Sequence, residues 1–374
     1  MFISKYTSKG FDVIAIISTT HAQGYGAEAI LTSLLKTWKD KEMPLCIAAP
    51  PDSAAMLLAV SLGFMVVPLS TAKDCLYENT IALLRRAGDF KGCRLVHAWH
   101  GRGFEQAWLL SKMLGIPATG TLHDHPTASF HGIFRRRIMR LSANNGAGIV
   151  CVSQAVSDAC RKEGYSCRLE VIRNGISALA KDVVPAGETA GLLRIGFMGM
   201  HKELKGFRVV ERWIRQASTL DVQWRLYGET KEMYGKSVEL LLQQYPGKVL
   251  MAGRKQASRI FSEIDLLVHP SVEFDAFPTV LLEAACCGIP VVASNIGGAA
   301  EIIDHGVTGF VYNSGDPEGG LHFVKMLIQD AAMRRDFGLA ARRSFENKFV
   351  AERMTDDYRN YWASVLDKRT GKVS

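Results

Sequence analysis

The sequence predicts an α/β protein made of two doubly wound domains, each with a parallel sheet flanked by helices. Apolar runs of strand length alternate with helical patterns through both halves of the chain, as is typical of βαβ units. The chain has 374 residues, too many for one ordinary hydrophobic core. We therefore expect an N-terminal domain over residues 1–176, a linker over 177–190 and a C-terminal domain over 191–350.

Thirteen apolar runs are strand candidates, seven in the first half and six in the second. They are residues 13–17, 45–48, 64–67, 94–97, 118–122, 148–152, 169–172, 193–198, 223–226, 249–252, 266–269, 291–293 and 310–312. The clearest helical patterns of the first half lie between them, over residues 27–38, 77–86, 103–114 and 153–163. The linker has neither periodicity and contains Pro and Gly. After Asp316 only helical patterns remain, ending with a stretch over 351–366.

Composition indicates a globular cytoplasmic protein, with 48% hydrophobic and 22% charged residues. The apolar runs are far shorter than the roughly 18 to 20 residues that span a bilayer. The first run is short and no small-residue cleavage site follows it, which favours a strand over a signal sequence. Eight cysteines without metal-ligand spacing are expected to be reduced core residues.

The positive charge is concentrated in the first half of the chain. Residues 1–180 carry 20 Lys and Arg against 13 Asp and Glu, a balance of +7 of the total +8. Two basic groups stand out, Lys36, Trp38, Lys39 and Lys41 at one helix end and the arginines of residues 135–140. Such charge is either a solvated face or an attraction for anionic lipid or a phosphorylated acceptor. The second of these alternatives predicts that the first domain docks on an anionic membrane surface.

Two motifs of the first half follow predicted strands. Gly24-Tyr25-Gly26-Ala27-Glu28 opens a helix, and such a glycine loop is either a tight turn or a place where the backbone approaches a phosphate. His97-Ala98-Trp99-His100-Gly101 and Leu122-His123-Asp124 end two further strands. The HxxH spacing invites a metal hypothesis, but it lacks helical geometry and a third ligand, so we expect no metal.

The second half carries candidate residues for binding an anionic ligand. Its first strand ends in glycine and is followed by Lys202 and Lys205-Gly206, a plausible diphosphate clamp. Asp275 and Glu283 lie eight residues apart across a loop and a helix start, so the pair can hold two ends of one ligand. Gly297-Gly298 then opens another helix. Taken singly, Glu283 could equally be a first-turn acid that complements a helix dipole.

Taken together, these motifs resemble those of the retaining glycosyltransferases of family 4. The resemblance rests on Gly26-Ala27-Glu28, His123, Asn174-Gly175, Lys205-Gly206, Asp275, Glu283 and Gly297-Gly298, which follow the order of the family. It implies a GT-B fold, with two Rossmann-like domains facing across a cleft and a C-terminal helix, 351–374, packing back on the first domain. It also implies metal-independent transfer of a sugar from a nucleoside-diphosphate donor, UDP-sugar being favoured, to the hydroxyl of a glycan or lipid-linked acceptor.

The resemblance also assigns residues to roles. Those expected to act in catalysis are His123, Asp275 and Lys205. Those expected to bind the donor are Gly26, Lys202, Lys205, Gly228, Arg254, Phe277, Pro278, Thr279 and Glu283. The acceptor side is expected at His97, His100 and Gly101. The sequence departs from the family at Met200, where an arginine is usual, and at Asp275, where glutamate is usual and Glu273 is a rival.

The expected activity is that of a hexosyltransferase in bacterial cell-surface polysaccharide or lipopolysaccharide synthesis, without a cofactor or a nucleic-acid partner. We expect the protein in the cytoplasm, peripheral on the inner face of the plasma membrane. Two alternatives stay open. One is a nucleotide-sugar-binding regulatory or scaffold protein without turnover, which Met200 suggests, and the other is a sugar-nucleotide epimerase of the same fold. A dehydrogenase is disfavoured because the glycine loop lacks the third glycine and the acidic ribose residue.

Overall fold

The computed structural model describes residues 11–19, 26–40, 42–69, 76–128, 132–179, 192–199, 203–230 and 232–370. The chain folds into two compact units, one of residues 1–175 with 351–374 and one of residues 176–350. Each unit has its own parallel sheet, and the two are described separately.

The described residues form thirteen strands and fourteen α-helices. The strands are β1 (Val13–Ile17), β2 (Leu45–Ala49), β3 (Met65–Pro68), β4 (Cys93–Ala98), β5 (Ala118–Leu122), β6 (Gly148–Cys151), β7 (Leu169–Val171), β8 (Leu193–Met198), β9 (Val222–Tyr227), β10 (Val249–Gly253), β11 (Leu266–His269), β12 (Val291–Ser294) and β13 (Gly309–Tyr312). The helices are α1 (Ala27–Thr37), α2 (Ala54–Ser61), α3 (Leu76–Arg85), α4 (Phe104–Leu114), α5 (Ile133–Asn144), α6 (Gln154–Lys162), α7 (Phe207–Gln216), α8 (Glu232–Gln244), α9 (Ala257–Ser262), α10 (Thr279–Cys286), α11 (Ala299–Ile302), α12 (Pro317–Gln329), α13 (Ala331–Lys348) and α14 (Ala351–Thr370).

Both sheets are doubly wound, as the alternation of strands and helices predicted. The first has the order β3-β2-β1-β4-β5-β6-β7 and the second β10-β9-β8-β11-β12-β13, with every strand pair parallel. All thirteen predicted strands form, with bounds that agree to within one residue. Their apolar runs are continuous because helices cover both faces of a parallel sheet, so β1 and β2 are buried along their whole length.

The core of the first unit includes the last helix of the chain. Trp362 of α14 is fully buried and packs against Trp38 from the end of α1, with the ring centroids 5.4 Å apart and the ring planes tilted by 51°. Its indole Nε1 donates a hydrogen bond to His97 Nδ1 at 3.2 Å. One turn earlier, the Tyr358 hydroxyl lies 2.8 Å from Thr121 Oγ1 on β5. Helix α14 is therefore part of this core through both apolar and polar contacts.

The second unit has a separate aromatic core around the first strands of its sheet. Phe197 on β8 and Trp224 on β9 pack with Phe207 and Trp213 of α7 and with Tyr234 of α8, all of them buried. The helix α7 presents these side chains on one face because their spacing follows the helical period. This core leaves the carboxyl ends of the strands to loops and helix starts.

Two expectations from composition can be compared with the structure. Among the described cysteines, all are free thiols and all but Cys167 are buried, which agrees with reduced core residues. Cys75 lies outside the described residues, as does most of the expected linker. Within the described ranges, no helix is long and apolar enough to cross a membrane.

Replacing Trp362 should test how much α14 contributes to the first unit. We expect Trp362→Ala to lower the free energy of unfolding by about 3–5 kcal/mol, because it leaves a large cavity. Trp362→Phe keeps most of the ring contact and should cost less, since its main loss is the hydrogen bond to His97. Urea denaturation of both variants and the wild type measures the difference. Equal midpoints for Trp362→Ala and wild type would show that α14 adds little.

Candidate functional site

The order of the second sheet places a switch point between β8 and β11. The chain builds β9 and β10 on one side of β8, and β11 to β13 on the other. Loops that leave two such strands turn towards opposite faces of the sheet, and the crevice between them is the usual ligand site of a doubly wound fold. The predicted residues Lys205 and Asp275 follow these two strands. The carboxyl edge of β8 and β11 is therefore the candidate site of this unit.

The turn after β8 is fixed against the loop after β11 by backbone contacts. The Leu204 carbonyl oxygen accepts a hydrogen bond from the Val272 N–H at 3.1 Å. Gly206 adopts φ +74°, and a Cβ atom at this position would lie 1.7 Å from the carbonyl oxygen of Pro270. Only glycine fits here, since any side chain would collide with backbone. Lys205 is consequently held at the start of α7, within reach of the second loop.

The structure brings Lys205 and Asp275 into direct contact. Lys205 Nζ lies 2.5 Å from Asp275 Oδ2, and His269 Nε2 lies 3.6 Å from the same oxygen. Burial raises the pKa of the Asp275 carboxyl, but His269 and Lys205 together outweigh burial and hold that pKa below its usual range. Asp275 is therefore an ionised carboxylate. The rival Glu273 is an exposed residue of the same loop.

Gly297-Gly298 supports the loop that carries Asp275. The N–H of Gly298 donates a hydrogen bond to the carbonyl oxygen of Asp275 at 2.9 Å. Gly297 has φ +66°, and a Cβ atom there would lie 1.9 Å from that carbonyl oxygen. At Gly298 a Cβ atom would lie 2.4 Å from the carbonyl oxygen of Ala276. The glycine pair thus allows a third loop, from the end of β12, to pack directly on this backbone.

Glu283 lies on α10 and is only partly exposed. Its carboxyl makes no hydrogen bond or ion pair with any residue that the structure describes. Burial, and to a smaller extent the neighbouring Cys286 thiol, raises the pKa of Glu283 to about 7. A buried carboxyl without a protein partner is a typical feature of a ligand site.

The segment before α10 contributes backbone to the site more than side chains. Phe277 is buried and its ring centroid lies 6.0 Å from that of Phe349, so its side chain belongs to the core. Pro278 occupies the N-cap position and Thr279 begins the helix. The N–H groups at such a helix start favour an anionic or hydroxyl-bearing ligand.

The residues predicted for the nucleoside lie at the same edge of the sheet, at the ends of β9 and β10. Gly228 has φ +121°, and its N–H donates to the Gly253 carbonyl oxygen at 3.0 Å. Arg254 pairs with Glu229 at 2.7 Å, and both side chains are more than half exposed. Lys202, the second predicted cation, lies outside the described residues.

In the first unit, the described residues of the glycine motif after β1 have two different roles. Gly26 is exposed, has φ +58° and precedes α1, with nothing within 4 Å of a Cβ position. Glu28 is buried instead, and its Oε1 accepts a hydrogen bond from the Ala55 N–H at 3.1 Å, which fixes the start of α2. Gly24 and Tyr25 lie outside the described residues. Of the described motif residues, Gly26 is the one exposed at a helix start.

Two residues predicted for the acceptor side lie inside the core. His97 has no exposed surface, and its Nδ1 and Nε2 lie 2.8 and 2.9 Å from the hydroxyls of Thr119 and Thr121. At Gly101 a Cβ atom would lie 2.8 Å from Leu122 Cδ1. His97 therefore has no surface with which to touch an acceptor, and Gly101 is needed for packing.

His100 and His123 form a neutral pair at the carboxyl edge of the first sheet. His100 Nε2 lies 3.2 Å from Ser18 Oγ, and burial with the nearby Arg102 lowers the pKa of His100 to about 4. Burial also lowers the pKa of His123 well below its usual value, and its Nε2 has no hydrogen-bond partner among the described residues. An unsatisfied buried nitrogen is available to a ligand hydroxyl. Across the described ranges, no group of three or more His, Cys, Asp or Glu side chains is arranged to bind a metal ion.

Comparison with protein families decides the affiliation of the chain. The model "Glycosyltransferase Family 4" matches residues 24–178, and "Glycosyl transferases group 1" matches residues 193–330. Together they cover most of both units. The chain belongs to the group 1, family 4 glycosyltransferases. The family resemblance of the sequence motifs is thereby confirmed.

Two curated relatives show how far the sequence likeness extends. N-acetyl-alpha-D-glucosaminyl L-malate synthase of Bacillus anthracis is 29% identical over 168 residues, covering 44% of each chain. The capsular polysaccharide biosynthesis glycosyltransferase CapM of Staphylococcus aureus is 25% identical over 176 residues, covering 46% of this chain and 45% of CapM. These matches span less than half the length of either relative.

A solved structure shows the same fold over most of the chain. Anabaena HepE, crystallised with UDP and glucose, has a TM-score of 0.79 and 20% sequence identity, covering 94% of this chain and 100% of HepE. With the two Rossmann-like units, this likeness confirms the GT-B fold.

His269, the last residue of β11, is a site residue that the family motifs did not indicate. It is buried, and its Nε2 is directed at the Asp275 carboxylate. Burial lowers the pKa of His269, which keeps the ring neutral at neutral pH. A polar residue that ends an apolar strand at the carboxyl edge was the signal that could have identified it.

Replacing Glu283 should change how stability depends on pH. Between pH 4.5 and 7 the folded state binds the Glu283 proton more tightly than the unfolded state, so this group makes stability fall as pH rises. Glu283→Gln has no such titration. We therefore compare the free energy of unfolding of the variant with that of the wild type at two pH values. We expect the variant's value, minus the wild-type value, to be roughly 1–3 kcal/mol larger at pH 8 than at pH 5. Urea denaturation at both pH values measures this, and an equal difference at the two would contradict it.

Proposed function

We propose that the protein is a retaining, metal-independent hexosyltransferase that uses a nucleoside-diphosphate sugar, with UDP-sugar favoured. The observation that carries the proposal is the ion pair of Lys205 and Asp275 at the switch point of the second unit. It combines a cation suited to a diphosphate with a carboxylate suited to sugar hydroxyls. The presence of UDP-glucose in a structure of HepE, which shares the fold, supports this class of donor.

Lys205 stabilises the leaving group in this proposal. As the bond between the sugar C1 and the diphosphate oxygen breaks, its electron pair stays on the diphosphate, so negative charge grows there. Lys205 leaves its ion pair with Asp275 and pairs with the diphosphate instead. This interaction is strongest when the negative charge on the diphosphate is fully developed. The released Asp275 carboxylate accepts hydrogen bonds from hydroxyls of the sugar, with His269 holding its orientation.

Glu283 binds the nucleoside part of the donor. A carboxylate can accept hydrogen bonds from both hydroxyls of a ribose, and its lack of a partner among the described residues leaves it available for them. Gly228 and Arg254 lie at the strand ends where the base is expected. Because the pKa of Glu283 is about 7, donor affinity should fall below neutral pH as the carboxylate is lost.

The neutral His123 positions the transferred sugar from the first unit. Its unsatisfied Nε2 suits a sugar hydroxyl, whereas a charged imidazolium would repel the oxocarbenium-like transition state. Retention follows if the acceptor oxygen attacks C1 on the face that the diphosphate leaves. The acceptor proton then passes to the departing phosphate oxygen, so no protein base is needed.

The acceptor in this proposal is a glycan or lipid-linked saccharide of bacterial cell-surface polysaccharide or lipopolysaccharide synthesis, reached from the cytoplasm. Its support is the role of CapM in capsular polysaccharide biosynthesis. Two alternatives are kept. Met200, in place of the usual arginine, favours a nucleotide-sugar-binding protein without turnover, and a GT-B epimerase would use the same donor site.

Donor hydrolysis in EDTA should separate these functions. We expect slow release of UDP and free sugar from UDP-glucose, faster than from GDP- and ADP-sugars, because water replaces the absent acceptor. The sugar anomer released first, observed by NMR, should have the configuration of the donor. Binding of the donor without release of sugar indicates the nucleotide-sugar-binding protein without turnover. Conversion to another sugar nucleotide indicates the epimerase. A strict Mg²⁺ requirement contradicts metal independence.

Lys205→Ala should reduce turnover more than donor affinity. Loss of one group that stabilises a developing anion typically lowers kcat by about 10²–10³. The matched control is Lys348→Ala, which also removes a lysine paired with an aspartate, Asp304 at 3.4 Å. We expect the control to retain wild-type kcat. Unchanged turnover in Lys205→Ala would remove Lys205 from the proposed mechanism.

A further inference from the structure

The outward face of α5 carries apolar and cationic side chains together. Ile133, Phe134 and Leu141 are 72%, 77% and 57% exposed. Helical spacing places Arg137 and Arg140 among them, and both are exposed. The helix contains no acidic residue. Large exposed apolar side chains beside uncompensated cations are unusual on a soluble surface and indicate a binding face.

The opposite face of α5 fixes the helix to the first unit. Met139 and Ala143 are buried in the core. Arg135 pairs with Glu105 of α4 at 2.8 Å, and these side chains are only 17% and 8% exposed. Of the arginines in this helix, Arg135 therefore has a structural role. The outward face is presented by a rigid element and does not depend on loop conformation.

A cavity of ≈ 320 Å³ lies beside this face. Its lining includes Arg136, Arg137, Arg140, Thr127 and Tyr165, with Glu163 as the one acid. Arg136 and Arg140 donate to the backbone carbonyl oxygens of Ala128 and Glu163, at 3.2 and 2.7 Å. The carbonyl partner of Arg140 orients its guanidinium without neutralising its charge. The cavity is thus a cationic recess large enough for a phosphate group.

The second basic group that the sequence put forward does not offer such a surface. Trp38 is only 7% exposed because it packs against Trp362. The cavity of ≈ 650 Å³ beside it is lined by Asp40, Glu42, Glu352 and Asp356 against Lys39 and Arg359. Acids outnumber bases there, so this surface would not attract an anionic partner. Lys41 lies outside the described residues.

We propose that the outward face of α5 docks the protein on an anionic lipid bilayer. Ile133, Phe134 and Leu141 insert at the level of the acyl-chain boundary, Arg137 and Arg140 pair with lipid phosphates, and the recess receives one lipid headgroup. Interfacial helices combine apolar and basic side chains in this way, and each basic residue near the surface contributes about fivefold to binding. A nucleic acid would use the arginines but gains nothing from three protruding aliphatic and aromatic side chains.

The position of α5 suits this docking. The helix follows β5 through the loop that contains His123, so it starts at the carboxyl edge of the first sheet. Docking therefore brings the edge with His100 and His123 towards the bilayer. A lipid-linked acceptor could reach this edge without leaving the membrane. The proposed docking goes beyond the proposed sugar transfer and does not depend on that transfer.

Co-sedimentation with vesicles tests the proposal. The full chain is mixed with phosphatidylcholine vesicles containing 0 or about 30% phosphatidylglycerol, at low and high salt. We expect binding only to the anionic vesicles, weakened by salt. Arg137→Gln with Arg140→Gln should reduce partitioning about tenfold or more, and Phe134→Ser about tenfold. The control removes two exposed arginines of α13, Arg335→Gln with Arg343→Gln, and should bind like the wild type.

Nucleotide affinity and the thermal midpoint of each variant, measured in parallel, separate docking from folding and from the proposed activity. Equal recovery on neutral and anionic vesicles, or none on either, overturns the proposal. So does equal loss in the α5 and α13 variants, which would indicate net charge alone. Saturable binding of inorganic phosphate or of a DNA duplex without vesicle binding would assign the recess to a soluble anion or to nucleic acid instead.

Discussion

The candidate site of the second unit depends on three backbone segments that approach one another more closely than any side chain permits. Gly206 meets the carbonyl of Pro270, and Gly297 meets that of Asp275. These contacts pack the loops that leave β8, β11 and β12 directly on one another. The ion pair of Lys205 with Asp275 follows from this packing, because its partners lie on two of the joined loops.

Burial has different electrical consequences at the carboxyl edges of the two sheets. In the first unit burial lowers the pKa of His100 and of His123, and neighbouring histidines or Arg102 lower it further, so both rings are neutral. In the second unit two cationic or proton-donating neighbours keep Asp275 ionised despite burial, whereas Glu283 has no such neighbour and its pKa rises. Burial therefore disfavours the charged form at both edges, and Asp275 remains ionised only because its neighbours outweigh that effect.

Basic residues of the first unit also differ in role according to their surroundings. Arg135 and Arg137 are two positions apart, yet one is paired with Glu105 inside the unit and the other faces solvent. Trp38, which resembles a membrane-interface residue beside its lysines, is instead a core residue because α14 covers it. Net charge along the sequence does not distinguish these cases.

The sequence by itself determined the α/β class, all thirteen strands and the order of the motifs, because apolar periodicity and glycine positions are local properties. Through the family resemblance of its motifs it also put forward Lys205, Asp275 and Glu283 as site residues. Only the tertiary structure decided that Lys205 and Asp275 touch, that His269 joins them and that His97 is enclosed by Thr119 and Thr121. Side-chain partners and burial arise from contacts between segments far apart in the chain, and no local pattern encodes those distances.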